Sequence, residues 1–134
     1  MAAATPGPET TGRGTPERAR DAACLFCRIA SGEIPATLVH EDEATVAFRD
    51  VDPQAPTHVL VIPRLHVPTV AALAEQAPDD LVALLGAAAQ VARQEGVAEG
   101  GYRTVFNTGA DAQQSVLHAH LHVLGGRALT WPPG

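Results

Sequence analysis

The stretch SVLHAHLHVLGG, residues 115–126, places His118, His120 and His122 at every second position, with Leu117, Ala119, Leu121 and Val123 in the alternate places. Along a β-strand successive side chains point to opposite faces, and residues i and i+2 lie about 6.6–6.8 Å apart on the same face. The spacing therefore predicts a strand with three imidazoles on one side and Leu117, Ala119, Leu121 and Val123 on the other. The apolar side needs a cover, and PDDLVALLGAAAQVARQEGV, residues 78–97, supplies one. Pro78 suits a first helical turn, Asp79 and Asp80 favour the positive helix end, and Gly96 stops the helix. Leu81, Leu84, Leu85, Ala88, Val91 and Ala92 form its apolar stripe.

The remaining segments complete a sheet. TLVHE (37–41) and ATVAFRD (44–50) are spaced as a hairpin, THVLVIP (57–63) suits a strand covered on both faces and ended by Pro63, and YRTVFNT (102–108) supplies another strand. LFCRIASGEIP, near residue 25, reads as a short helical piece. Strands, a long helix and strands again predict an α+β fold. It comprises an antiparallel sheet of about five strands, one long helix and a short N-terminal helix. Residues 1–22 mix Ala, Thr, Pro, Gly and charges without a periodic apolar face, so a disordered tail is expected there and one domain over residues 23–134.

Composition removes several function classes. With 134 residues and 46% hydrophobic content the chain supports a single core. All nine basic residues are arginine and the formal net charge is -6, so no broad basic field exists for nucleic acid. Without lysine, Schiff-base chemistry and a phosphate-loop lysine are excluded, which leaves imidazole as the leading nucleophile. No apolar run approaches the roughly 18 residues of a membrane span, and the start of the chain lacks a signal-like pattern. No membrane partner and a cytoplasmic location are expected. Cys24 and Cys27, separated by two residues, fit a metal knuckle or a redox couple.

Three uses of the histidines compete. They could decorate a solvated face; they could hold one catalytic metal; or one imidazole could attack phosphorus while its neighbours hold the phosphate and set its tautomer. The outer two stand about 13 Å apart along a strand, too far for easy convergence on a single ion. At this point the sequence resembles a known family: His118 to Leu124 matches the motif of the histidine triad superfamily of nucleotide hydrolases and transferases.

The likeness extends over CLFCRIASGEIPATLVHEDEATVAFRDVDPQAPTHVLVIPRLH, GYRTVFNTG, QSVLHAHLHVLGGR and the terminal WPPG, which together resemble the histidine triad nucleotide-binding (Hint) branch. The resemblance implies a HIT-like fold whose sheet extends across a homodimer. It implies hydrolysis of purine nucleoside 5'-phosphoramidates to nucleoside monophosphate and amine through a nucleotidyl-histidine. A nucleotide-binding adaptor with incidental turnover and a dinucleoside polyphosphate hydrolase are the alternatives. Intact His120 and Ser115 favour the enzyme, and WPPG with Gln-Ser before the triad favours the Hint branch.

By the same resemblance His120 is the nucleophile, His122 bonds the phosphate or leaving group, and His58 supports the network. Ser115 and the backbone of Gln113 and Gln114 match a phosphate-contacting turn, with Gln113 standing where close relatives carry glycine. Asp50 matches a carboxylate that accepts the ribose hydroxyls, although taken alone it reads as a turn residue. Phe26, Ile34, Phe48, Val51 and Leu60 match an apolar base pocket, Asn107 a polar contact near phosphate or ribose, and Trp131 a tail that reaches the partner subunit's site. Cys24, Cys27, His66 and His118 match a structural zinc set, with no cofactor required for catalysis; His118 then serves as a ligand more than as a base.

Overall fold

A computed structural model describes residues 20–134, and the expectation of a disordered tail over residues 1–22 falls outside them except at its last three positions. Five strands form one antiparallel sheet: β1 (Leu38–Glu41), β2 (Thr45–Arg49), β3 (Thr57–Pro63), β4 (Tyr102–Phe106) and β5 (Leu121–Gly125), in the order β1-β2-β3-β5-β4. β3 lies at the centre and is buried along its whole length. Its Val59 and Val61 point to one side, while His58, Leu60 and Ile62 point to the other, as the period of a strand requires.

Three helices cover the sheet: α1 (Leu25–Ala30), α2 (Val70–Gln76) and α3 (Pro78–Gln94). The sequence reading gave two of them; α2 is an addition, started by the Thr69 side chain, which accepts from the Ala72 amide. α3 packs Leu84, Ala87, Ala88 and Val91 against Ala47, Val59, Val61, Leu121 and Val123. The predicted stripe needs one correction. Leu85 is half exposed and Ala87 is buried, because Leu85 lies about 100° around the helix from Leu84 and passes the margin of the sheet. On the opposite face a second core joins Phe26, Val46, Phe48, Leu60 and Ile62.

The predicted strand over 115–126 is also shorter than expected. Pairing with β3 begins at Leu121, opposite Val61. The next partner with an outward amide would be Pro63, which has no N–H to give. The chain leaves the ladder there: the Ala119 amide bonds the Val67 carbonyl, and the Pro63 carbonyl takes the His118 ring. Ala119, Leu121 and Val123 are buried as expected, whereas Leu117 is 66% exposed because it precedes the ladder.

The two faces of α3 yield a test. Leu84→Ala leaves a cavity in the main core and should lower stability by about 2–5 kcal/mol, while Leu85→Ala should change it by about 1 kcal/mol or less. Equal losses in denaturant titrations would show that the helix sits in another rotation.

Candidate active site

The second core is the floor of the site. On it β3 and β5 are registered so that Leu60 faces His122 and His58 faces Leu124, which makes His58 and His122 diagonal neighbours within reach of one another. His58 Nε2 lies 2.9 Å from His122 Nδ1, closer than the 3.4 Å to Asp50 Oδ2. His120 joins them from the segment before β5, its ring centroid 5.1 Å from that of His122 and 5.1 Å from that of Phe26. His118 also touches Phe26, so the alternation does keep the three rings on one side of the chain although only His122 belongs to the ladder.

Hydrogen bonds assign a proton to each ring. The Gln54 amide donates to His58 Nδ1 at 3.0 Å, so His58 carries its proton on Nε2 and donates it to His122 Nδ1. His122 must then hold its own proton on Nε2, and this atom is buried with no partner. It is a donor that awaits a ligand. His120 Nδ1–H donates to the His118 carbonyl at 2.8 Å, which leaves Nε2 with a free lone pair. One ring is arranged to attack and its neighbour to donate. The Asp50, His58 and His122 atoms are close enough to hold an ion, but the Gln54 amide occupies the lone pair of His58 Nδ1 and so forces a proton onto the nitrogen an ion would need.

Burial favours the neutral forms of His122 and His58. His122 is pushed down to about 4 by burial first and by His120 and His58 second, with Asp50 opposing. His58 is lowered by burial, with Asp50 and Asp52 opposing. Neutral imidazoles suit both an attacking lone pair and a donor that does not repel its neighbours.

Of the ribose and base candidates, Asp50, Phe26 and Leu60 adjoin this group. Asp50 is anchored by its amide to the His58 carbonyl, and its Oδ1 accepts from the Asp52 amide at 2.8 Å, so both carboxylate oxygens have protein neighbours and keep one lone pair or more for a ligand. Phe26 and Phe48 meet edge to face at 5.5 Å and, with Leu60, are buried; Ile34 is half-buried and Val51 is fully exposed beyond Asp50. Asn107 is half-buried just past β4. Gln113 has φ 62°, ψ 40°, a left-handed conformation that glycine takes freely and a longer residue only with strain. The Gln114 side chain braces the same turn by donating to the Pro68 and Val116 carbonyls and accepting from the Gly109 amide, and Ser115 is exposed on it. Trp131 is 79% exposed with the Arg103 guanidinium 5.8 Å from its ring. A shallow hollow of about 550 Å³ lies on the α3 side, between His40, Asp42, Gly86 and Arg93, and has no part in the histidine group.

Cys24, Cys27, His66 and His118 converge beside the site. Cys24 caps α1 and Cys27 lies one turn on, so the helix start presents both sulfurs together. Since His118 Nε2–H donates to the Pro63 carbonyl, its Nδ1 is bare, and it faces Cys24 Sγ at 3.4 Å, Cys27 Sγ at 3.5 Å and His66 Nδ1 at 3.2 Å. Bonds of about 2.0 Å to nitrogen and 2.3 Å to sulfur give tetrahedral edges of about 3.3 Å and 3.5 Å. The four residues fit a tetrahedral metal. Asp21 completes the surroundings, its amide 3.2 Å from Cys27 Sγ and its carboxylate 4.0 Å from His66 Nε2. Burial pushes the Cys27 thiol up to about 12, so a bound cation is what would make it a thiolate.

Comparison with known proteins agrees with this geometry. The HIT domain family matches residues 31–129. The chain belongs to that family, and it is a HIT family hydrolase. It is 45% identical over 105 residues to a purine nucleoside phosphoramidase of Escherichia coli K12, covering 78% of this chain and 88% of the relative. It is 48% identical over 119 residues to a 14 kDa zinc-binding protein of Zea mays, covering 87% and 92% respectively. A crystal structure of a HIT family hydrolase from Legionella pneumophila superposes with a TM-score of 0.80 at 52% identity, covering 83% of this chain and 99% of that one.

The sequence reading missed Gln54, Asp21 and the Pro63 and His118 carbonyls. Backbone donors and acceptors leave no mark in residue type, and Asp21 lay in a segment without apolar pattern.

The depressed imidazoles set a pH dependence. The folded values of His118 and His122, about 4, lie below the 6.5 of the unfolded chain, so unfolding takes up protons as pH falls. In metal-stripped protein stability should be full above pH 6.5 and decline as pH drops toward about 4. Calorimetric Tm values that stay flat over that window would contradict the buried neutral rings.

Proposed function

We propose that this hydrolase cleaves purine nucleoside 5'-phosphoramidates to nucleoside 5'-monophosphate and amine through a nucleotide bound to His120. The observation that carries the reading is the pairing of a bare His120 Nε2 with an unpartnered His122 Nε2–H, beside an apolar floor of Phe26, Phe48 and Leu60. Support for the substrate comes from the phosphoramidase name of the 45% identical relative.

In this reading His120 Nε2 attacks phosphorus and the P–N bond breaks. The departing nitrogen takes a proton from a water held by the His122 Nε2–H, so both rings stay neutral. The hydroxide left then attacks phosphorus, and the P–Nε2 bond breaks to free His120. The Gln113 and Gln114 amides and Ser115 hold the phosphate oxygens, which lets an acidic chain bind an anion without lysine. Asp50 accepts the ribose hydroxyls, Asn107 bonds nearby, and Phe26, Ile34, Phe48, Val51 and Leu60 enclose the base.

Cys24, Cys27, His66 and His118 hold zinc in the same reading. A closed set of two thiolates and two imidazoles supplies structural cross-linking and no open position for water. Reduced thiols suit a reducing, cytoplasmic compartment. The exposed edge strand β4 pairs with a second copy, and Trp131 serves the partner's site. Residues 23–134 make up the domain.

Incubation with adenosine 5'-phosphoramidate should release AMP and give a +AMP adduct by mass spectrometry, and His120→Gly should lower turnover about 1000-fold or more. Native protein without turnover, or a fully active variant, would remove the reading. Metal analysis should find stoichiometric zinc that Cys24→Ser abolishes along with a lower Tm; metal-free native protein of equal Tm would remove the zinc assignment.

A further inference from the structure

The proton arrangement of His58 depends on one backbone amide, that of Gln54, in the irregular connection between β2 and β3. This connection is braced from within: the Asp52 amide donates to Asp50 Oδ1, and the Gln54 side chain donates to the Asp52 carbonyl. Its attachment to the end of β5 comes through two consecutive residues. Arg127 Nη2 donates to the Gln54 carbonyl at 2.9 Å, and its Nη1 rests on the Ala128 carbonyl at 3.0 Å. Gly126, at φ +92°, presses its backbone against the same segment so closely that a Cβ would lie 2.9 Å from Pro56 Cβ.

The carbonyl held by Arg127 and the amide that faces His58 belong to the same residue, one in each of the two peptide planes that meet at its Cα. A guanidinium nitrogen held at the carbonyl restricts the second plane, and with the Gln54 side chain held on the Asp52 carbonyl it limits how far the N–H can swing. If that N–H swings away, His58 Nδ1 is free to take the ring proton. His58 Nε2 would then accept from His122 Nδ1, and His122 Nε2 would be left bare. The donor that faces the substrate would have become an acceptor.

We infer that Arg127 is a positioning residue for the reaction. With Gly126 it clamps the β2–β3 connection to the end of β5, so that the Gln54 amide holds His58 in the tautomer that makes His122 Nε2 a donor. The kinetic arm of the test rests on the phosphoramidase reading, and the spectroscopic arm does not.

Long-range 1H–15N spectra of native protein should show His58 and His122 with Nδ1 bare and Nε2 protonated. Arg127→Ala should shift both rings to mixed tautomers and lower kcat on adenosine 5'-phosphoramidate about 10- to 100-fold with KM nearly unchanged. Arg127→Lys, which keeps one donor near the Gln54 carbonyl, and added guanidinium ion should each restore part of both signals. Native ring shifts and native kcat in Arg127→Ala would overturn the clamp, as would equal damage in the Ala and Lys variants with native tautomers. If no phosphoramidate is turned over by the native protein, the substrate reading fails while the ring shifts still decide the clamp.

Discussion

The His118 carbonyl accepts the Nδ1 proton of His120, and from that one bond follows which nitrogen of the middle histidine is free to react. Such a carbonyl is available because β4 pairs with β5 only as far as Leu121, where the β3–β5 ladder also stops. Pro63 cannot supply an amide to continue it, so the chain before Leu121 is released from sheet pairing and its backbone groups turn to the rings. The Pro63 carbonyl fixes His118 and the His118 carbonyl fixes His120. A terminated ladder thus sets two tautomers in succession, one that presents a lone pair to the metal-type cluster and one that presents a lone pair to the nucleotide side.

The third ring is controlled from elsewhere. His122 lies inside the ladder, where the pleat fixes its direction, and its proton is set by His58 across the diagonal. Burial holds His118 and His122 near 4, so these two rings are neutral at ordinary pH and act through directed hydrogen bonds more than through positive charge. In the proposed reaction such donors serve an anion in a chain with a net charge of -6 and no lysine. The surrounding cores have separate tasks. Leu121 and Val123 tie the strand to α3, while Phe26, packed with Phe48 and Leu60, meets His118 and His120 edge to face.

Much of this was legible in the residue order. The alternation of histidine with Ala119, Leu121 and Val123 gave the two-faced segment, the Pro78–Gly96 pattern gave the long helix, and the Val-rich run at 57–63 gave the buried central strand. What failed to show were events decided by partners. Leu117 fits the alternation but lies outside the ladder, because only the position of Pro63 opposite reveals where pairing ends. Leu85 fits the stripe, yet the width of the sheet decides which flank of α3 is covered. In the site, side chains with distinctive chemistry were found, whereas the Gln54 amide and the two carbonyls that orient them belong to a backbone common to every residue. Gln113 was singled out only as a departure from the family pattern, and its left-handed conformation shows in the structure alone.

The account is tested most directly by locating the atom of His120 that carries the nucleotide. A crystal structure of the protein trapped with a slow phosphoramidate should show phosphorus bonded to Nε2, with Nδ1 still 2.8 Å from the His118 carbonyl. Phosphorus on Nδ1, or on a ring other than His120, would contradict it.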